Sequence, residues 1–148
     1  MSPDAMHFEE ILKRHGKLVY SCQGDSMLPL IREGKDLVVI TPAQNRLKRF
    51  DVPLYRRASG QYVLHRVLKV REQDYVTCGD NRLKRELGVT DNQVLGVLTE
   101  IIRDGKTISV HSLRYRLYVF LWCRCFPIRA VVLRLSALWK RWRKRCKG

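Results

Sequence analysis

The chain has 148 residues, of which 45% are hydrophobic, an ordinary globular proportion sufficient for one domain plus an appendage. Its five cysteines, an odd number without zinc-knuckle spacing, argue against a disulfide framework and for reducing conditions. The net charge of +15 is uneven: from His111 onward there are 11 Lys/Arg and no Asp/Glu, while the rest carries 18 against 14. The body therefore has a mixed surface, and the tail holds the asymmetry.

Met1 to Gly16 reads as a short amphipathic helix, capped by Ser2, with Pro3 at its first position and Gly16 at its end. Met6, Phe8, Ile11 and Leu12 form its apolar stripe, expected to lie as a lid on the body. The segment carries no secretory signal and no membrane-spanning run.

Lys17 to Val110 has β character throughout. Expected strands are Lys17–Cys22, Asp36–Thr41, Val52–Arg57, Tyr62–Val70, Tyr75–Cys78, Val94–Ile102 and Thr107–Val110. Turns fall at Ala58-Ser59-Gly60, Gly79-Asp80-Asn81 and Asp104-Gly105. Asn81–Asn92 is polar, lacks a strand pattern and is expected to loop over one end. Hairpins at this spacing suit a mainly β fold, a small coiled antiparallel β-barrel-like domain over 1–110.

Two side chains stand out for chemistry. Ser26 lies in Gly24-Asp25-Ser26-Met27-Leu28-Pro29, a bend after the first strand that exposes its hydroxyl. A serine is a poor nucleophile without a base, and a turn serine that bonds its own backbone is the plain alternative. His65, within Tyr62-Val63-Leu64-His65-Arg66-Val67-Leu68-Lys69-Val70, is an imidazole in the middle of an apolar run. Its ordinary pKa near 6.5 lets it take a serine proton without a large shift.

These boxes resemble the signal peptidase I clan of serine peptidases. The family's nucleophile box, a Ser-Met closely followed by Pro, matches Ser26-Met27-Leu28-Pro29. Its Gly-Asp step before hydrophobics matches Gly34-Lys35-Asp36-Leu37-Val38-Val39-Ile40, with one inserted lysine. Its Phe-Asp step matches Phe50-Asp51-Val52-Pro53-Leu54-Tyr55, and the base box and Gly79-Asp80-Asn81 follow in the family's order. The resemblance covers residues 16–104; no single box is specific, and its weight comes from five in order. It implies a serine endopeptidase of the Ser-His subtype, since His65 stands before Arg66-Val67 where other members carry lysine. It further implies a peptide or preprotein substrate bound as an extended strand, with small side chains beside the scissile bond.

Within that resemblance the third catalytic member is Asp80, with Glu86 the alternative and Asp91 a further candidate. The plain reading of Asp80 is a turn aspartate, and that of Glu86 is solvent exposure. Oxyanion donors would be the Ser26 N–H and a group near Gly24, which has no hydroxyl. Arg66 is expected to be structural, and Cys22 and Cys78 to be buried small hydrophobes. A catalytic cysteine lacks the context that Ser26 has. No cofactor or metal is expected.

The tail, 111–148, has helical periodicity with a break at Pro127. Ile128, Val131, Val132, Leu135, Leu138, Trp139 and Trp142 share one face, with Arg129, Arg134, Lys140, Arg141 and Lys144 around the other. Arg124, Arg129 and Arg134 interrupt any span, so the expectation is a basic amphipathic helix on an anionic membrane surface, at the cytoplasmic face. The plainer alternative packs it on a protein; specific nucleic-acid binding is not expected, for want of a recognition motif. Two other functions compete with the peptidase: a non-catalytic membrane-associated interaction module, and a self-cleaving regulator. The regulator would need a DNA-binding domain upstream and a lysine base.

Overall fold

The computed structural model describes residues 4–124, together with 131, 132, 134 and 135. In chain order they form α1 (Asp4–His15), β1 (Leu18–Ser21), β2 (Leu37–Thr41), β3 (Pro53–Arg56), β4 (Tyr62–Leu64), β5 (Arg66–Val70), β6 (Tyr75–Cys78), β7 (Glu86–Val89), β8 (Val94–Arg103), β9 (Lys106–Ser109) and α2 (Leu113–Tyr118). A 3₁₀ turn, Asp91–Gln93, precedes β8, and a π-helical turn, Val119–Arg124, continues α2.

The fold is mainly β. One curled antiparallel sheet runs β1-β2-β8-β3-β4, with β9 folding back on β8. A smaller antiparallel sheet runs β5-β6-β7. The ten-residue β8 is the spine, pairing with β2 through Val38↔Ile101 and with β3 through Pro53↔Val97. Register shifts at Val39/Ile40 and Leu54/Tyr55 bend the sheet into a half-barrel. Its concave side buries Leu18, Ile31, Val38, Ile40, Leu54, Leu98 and Ile101, each 2% exposed or less. Each such side chain contributes about 2 kcal/mol of transfer free energy. A second core, around Tyr55, Val67, Tyr75 and Val89, fills the space between the sheets.

The α1 helix ends at Gly16, whose φ of +66° allows its N–H to reach the Leu12 carbonyl at 2.9 Å. Leu12 enters the main core, and Phe8 packs on Tyr20 of β1 (5.1 Å between rings) and Tyr62 of β4 (5.5 Å). The helix thus bridges the two outer strands of the curled sheet at one end. Met6 and the cap at Ser2 and Pro3 lie outside the residues whose side chains are described.

Three departures from the sequence reading bear on function. The expected strand Tyr62–Val70 is two strands in two sheets. Leu64 pairs with Leu54, Arg66 pairs with Cys78, and the chain crosses between sheets at His65. The polar stretch Asn81–Asn92 is not only a loop: Glu86–Val89 pairs with β6 through Tyr75↔Val89 and Thr77↔Glu86. The first turns of the tail belong to the domain, because Tyr115 of α2 is buried in the main core. Of the tail residues placed on one face, Ile128, Leu138, Trp139 and Trp142 lie outside the described residues, as do Pro127, Arg129, Lys140, Arg141 and Lys144.

Candidate active site

Ser26 opens a turn that the surrounding loop holds from several sides. Gly24, at φ +86°, reverses the chain after β1 and gives its N–H to Glu33 Oε1 at 2.5 Å. Met27 and Ile31 anchor the loop in the core, and the Ile31 N–H donates to the Met27 carbonyl at 2.9 Å. The loop's far end is tied down at Asp36, which is fully buried. Asp36 accepts from Arg32 Nε (2.9 Å) and Nη2 (2.8 Å), and from Arg103 Nη2 of β8 (2.6 Å). Burial alone would raise its pKa, but the two guanidiniums outweigh that and hold it at about 2. The Gly34-Lys35-Asp36 box therefore staples the serine loop to the sheet.

Gly79-Asp80-Asn81 grips the same loop from the other side. The Asn81 N–H donates to the Ser26 carbonyl at 2.8 Å, and its side-chain amide donates to the Asp25 carbonyl at 3.0 Å. Arg82 adds an ion pair to Asp25. Gly79 packs so closely that a Cβ there would stand 2.6 Å from the Ser26 carbonyl oxygen and 3.1 Å from His65 Nε2. The glycine is required by this approach, and its neighbours show how the serine loop and the imidazole meet at one point.

His65 sits where the chain leaves β4 for β5, its side chain 12% exposed. Its Nε2 edge faces Gly79, and its Nδ1 edge faces a polar cluster. Nδ1 lies 3.4 Å from the Tyr55 hydroxyl and 3.8 Å from Glu86 Oε2. Tyr55 donates to Glu86 Oε2 at 2.7 Å and contacts Thr77 Oγ1 at 3.1 Å. Arg57 clamps the same carboxylate from its other side, Nε to Oε1 at 2.7 Å and Nη2 to Oε2 at 2.6 Å. Arg57 accordingly lowers the pKa of Glu86 and keeps it ionised. Burial pushes the pKa of His65 down to about 4, against a smaller opposing pull from Glu86. The imidazole is therefore neutral at physiological pH, with Nε2 free to accept a proton when Nδ1 carries the hydrogen.

Asp80 does not occupy the position that the sequence reading preferred for it. It is fully buried and committed to Arg66, also fully buried, through Nε to Oδ1 (2.8 Å) and Nη2 to Oδ2 (2.6 Å). Arg66 Nη1 donates to the Phe50 carbonyl (2.9 Å) and the Tyr115 hydroxyl (3.0 Å). Tyr118 donates to Asp80 Oδ2 (2.9 Å), and the Trp122 indole donates to the Asp80 carbonyl (3.1 Å). Two charges buried together need such geometry, because an unsatisfied one would be expensive. Glu86 is the carboxylate beside Nδ1, half-buried rather than solvent-exposed, and Asp91 accepts instead from the Tyr75 hydroxyl.

Ser26 and His65 both line a cleft of about 1210 Å³ between β1 and β4, with Tyr20, Cys22, Met27, Tyr62 and Leu64 among its walls. No hydrogen bond within 3.5 Å joins the Ser26 hydroxyl to His65 among the described residues, and the Ser26 N–H has no acceptor among them. Cys22 shares the cleft, but burial raises its thiol to about 11, which leaves it protonated and unreactive.

Sequence reasoning missed Tyr55, Thr77 and Arg57 around His65 and Glu86, and Tyr115, Tyr118 and Trp122 around Asp80. The available signal was that a buried tyrosine needs a polar partner. Among the described residues no group of side chains is arranged to hold a metal ion. No family model, curated protein or solved structure matches the chain.

Proposed function

We propose that the protein is a serine endopeptidase of the signal peptidase I-like type, in which Ser26 is the nucleophile and His65 the general base. The observation that carries the proposal is the convergence at Gly79. The serine loop and the Nε2 edge of a neutral histidine meet on the wall of a large cleft, while the Nδ1 edge faces an ionised carboxylate.

The chemistry follows from these positions. A peptide lies in the cleft, and Ser26 Oγ attacks the scissile carbonyl as His65 Nε2 takes its proton. The imidazolium that forms is stabilised by Glu86 at 3.8 Å, directly and through the Tyr55 hydroxyl between them. His65 then returns the proton to the leaving amine, and water releases the acyl group by the same exchange. The Ser26 N–H, unclaimed by any acceptor among the described residues, is the oxyanion donor. Gly24 is not, since its N–H is bonded to Glu33. The gap between serine and histidine is in keeping with catalytic hydrogen bonds that tighten only with substrate.

The test compares protein N-termini in cells carrying the native chain, Ser26→Ala or His65→Ala at equal abundance. New termini seen with the native chain only establish proteolysis, and their flanking residues define the substrate. Identical termini in all three, or full activity of His65→Ala, overturn the assignment.

A further inference from the structure

The run from Leu113 to Arg124 has two faces of different character. Its inner face is spent on the domain: Tyr115 and Tyr118 reach the Arg66–Asp80 pair and Trp122 reaches the Asp80 carbonyl. Ser112 caps the start, its hydroxyl accepting from the Tyr115 N–H. This fixes the helix on the half-barrel and leaves its outer face bare. Leu113 is 79% exposed, Leu117 55% and Leu121 55%, at a spacing of four residues, which places them on one stripe. Val131, Val132 and Leu135 are also exposed. Beside the stripe lies a groove of about 620 Å³, bounded by Arg49, Phe50, Val110, Leu113, Leu117 and Phe120.

A cluster of bare aliphatic side chains this dense marks an interaction surface. Its charge selects the occupant. Arg114 and Arg116, both exposed, flank the stripe, and the chain from His111 onward holds 11 Lys/Arg with no acid. Aliphatic side chains framed by uncompensated cations fit an anionic bilayer, where the leucines enter the acyl boundary and the arginines meet phosphates. No described helix is long and apolar enough to cross a membrane, so this surface would lie on the bilayer.

We propose that Leu113, Leu117 and Leu121, with Arg114 and Arg116, dock the protein on an anionic membrane surface. The residues of this face are distinct from those lining the Ser26–His65 cleft. The proposal goes beyond the peptidase reading and does not require catalysis.

The test is co-sedimentation of the full chain with vesicles of phosphatidylcholine alone or enriched in phosphatidylglycerol. Ser26→Ala is run in parallel, so that binding is scored independently of any activity. Binding at least tenfold stronger to the anionic vesicles, weakened by salt, is the expected result. The triple substitution Leu113→Glu, Leu117→Glu, Leu121→Glu should abolish it. Arg114→Glu with Arg116→Glu should weaken it at least tenfold, since each cation near such a surface is worth about fivefold in partition. All three leucines are exposed, so the triple variant should keep the native circular dichroism; the arginine pair gives a second measure that leaves the leucines in place. Equal binding to neutral and anionic vesicles overturns the proposal. So does undiminished binding of both variants, or self-association abolished by the leucine substitutions without vesicle binding.

Discussion

The buried neutral His65 makes stability depend on pH in a calculable way. In the unfolded chain the imidazole titrates near 6.5, whereas in the fold burial holds it at about 4. Above pH 6.5 both states are neutral there and the residue contributes no pH dependence. Below 6.5 the unfolded chain takes up a proton that the folded chain refuses, so stability falls as pH falls, by about 1.4 kcal/mol per pH unit. The decline ends near pH 4, where the native imidazole protonates, for a total of about 3 kcal/mol. The side chain is only 12% exposed, so solvent screening does not erase the effect. At pH 5 the loss is about 2 kcal/mol, large against the 5–15 kcal/mol typical of a domain. His65→Gln removes the titration while keeping a polar side chain. The assay is urea unfolding of both proteins at intervals from pH 7.5 to 5, where most carboxylates remain ionised. The native protein should lose about 2 kcal/mol more than the variant across that range. Parallel curves would refute the reasoning, since they would mean that His65 is protonated as easily in the fold as outside it.

The same burial predicts that the proposed peptidase activity stays high down to about pH 4 to 5 and then falls as His65 protonates, provided the fold survives; an acid limb centred at 6.5 would contradict it. Glu86→Gln should lower kcat more than tenfold with little change in KM, and Tyr55→Phe should lower it less, because each leaves the imidazolium less stabilised; unaltered kcat in both would remove them from the site. Asp80→Ala strands a fully buried guanidinium and should cost 3–5 kcal/mol in chemical unfolding, whereas a loss below about 1 kcal/mol would mean that Arg66 finds other partners. Gly79→Ala sets a methyl 2.6 Å from the Ser26 carbonyl and should cut activity sharply while circular dichroism stays native; an active variant would show that the serine loop can move away freely.

Much of the barrel was legible in local pattern. Leu37–Thr41, Tyr75–Cys78 and Val94–Arg103 announce themselves as β-rich apolar runs between turn residues, and the observed strands agree with the expected ones to within a residue. β7 gave no such signal. It is four residues long with an exposed Leu87, and Gly88 sits at φ +79°, so only pairing with β6 makes it a strand. That pairing is what carries Glu86 to His65. The surroundings of the two candidate carboxylates were not legible for the same reason: that Asp80 meets Arg66, 14 positions away, and that Glu86 comes beside His65 both depend on strand pairing.

Residue order alone determined which groups were on offer: a serine at a bend, a histidine amid apolar neighbours, glycines where the backbone must approach closely, and a tail of one charge sign. Those properties reside in single residues and short spacings. Only the tertiary structure decided that the chain changes sheets at His65, that Arg57 and Tyr55 hold Glu86 beside the imidazole, and that α2 closes over Arg66 and Asp80. Each of these depends on burial and hydrogen-bond partners brought together from distant parts of the chain, and the lowered pKa of His65 arises only once that assembly has buried the imidazole.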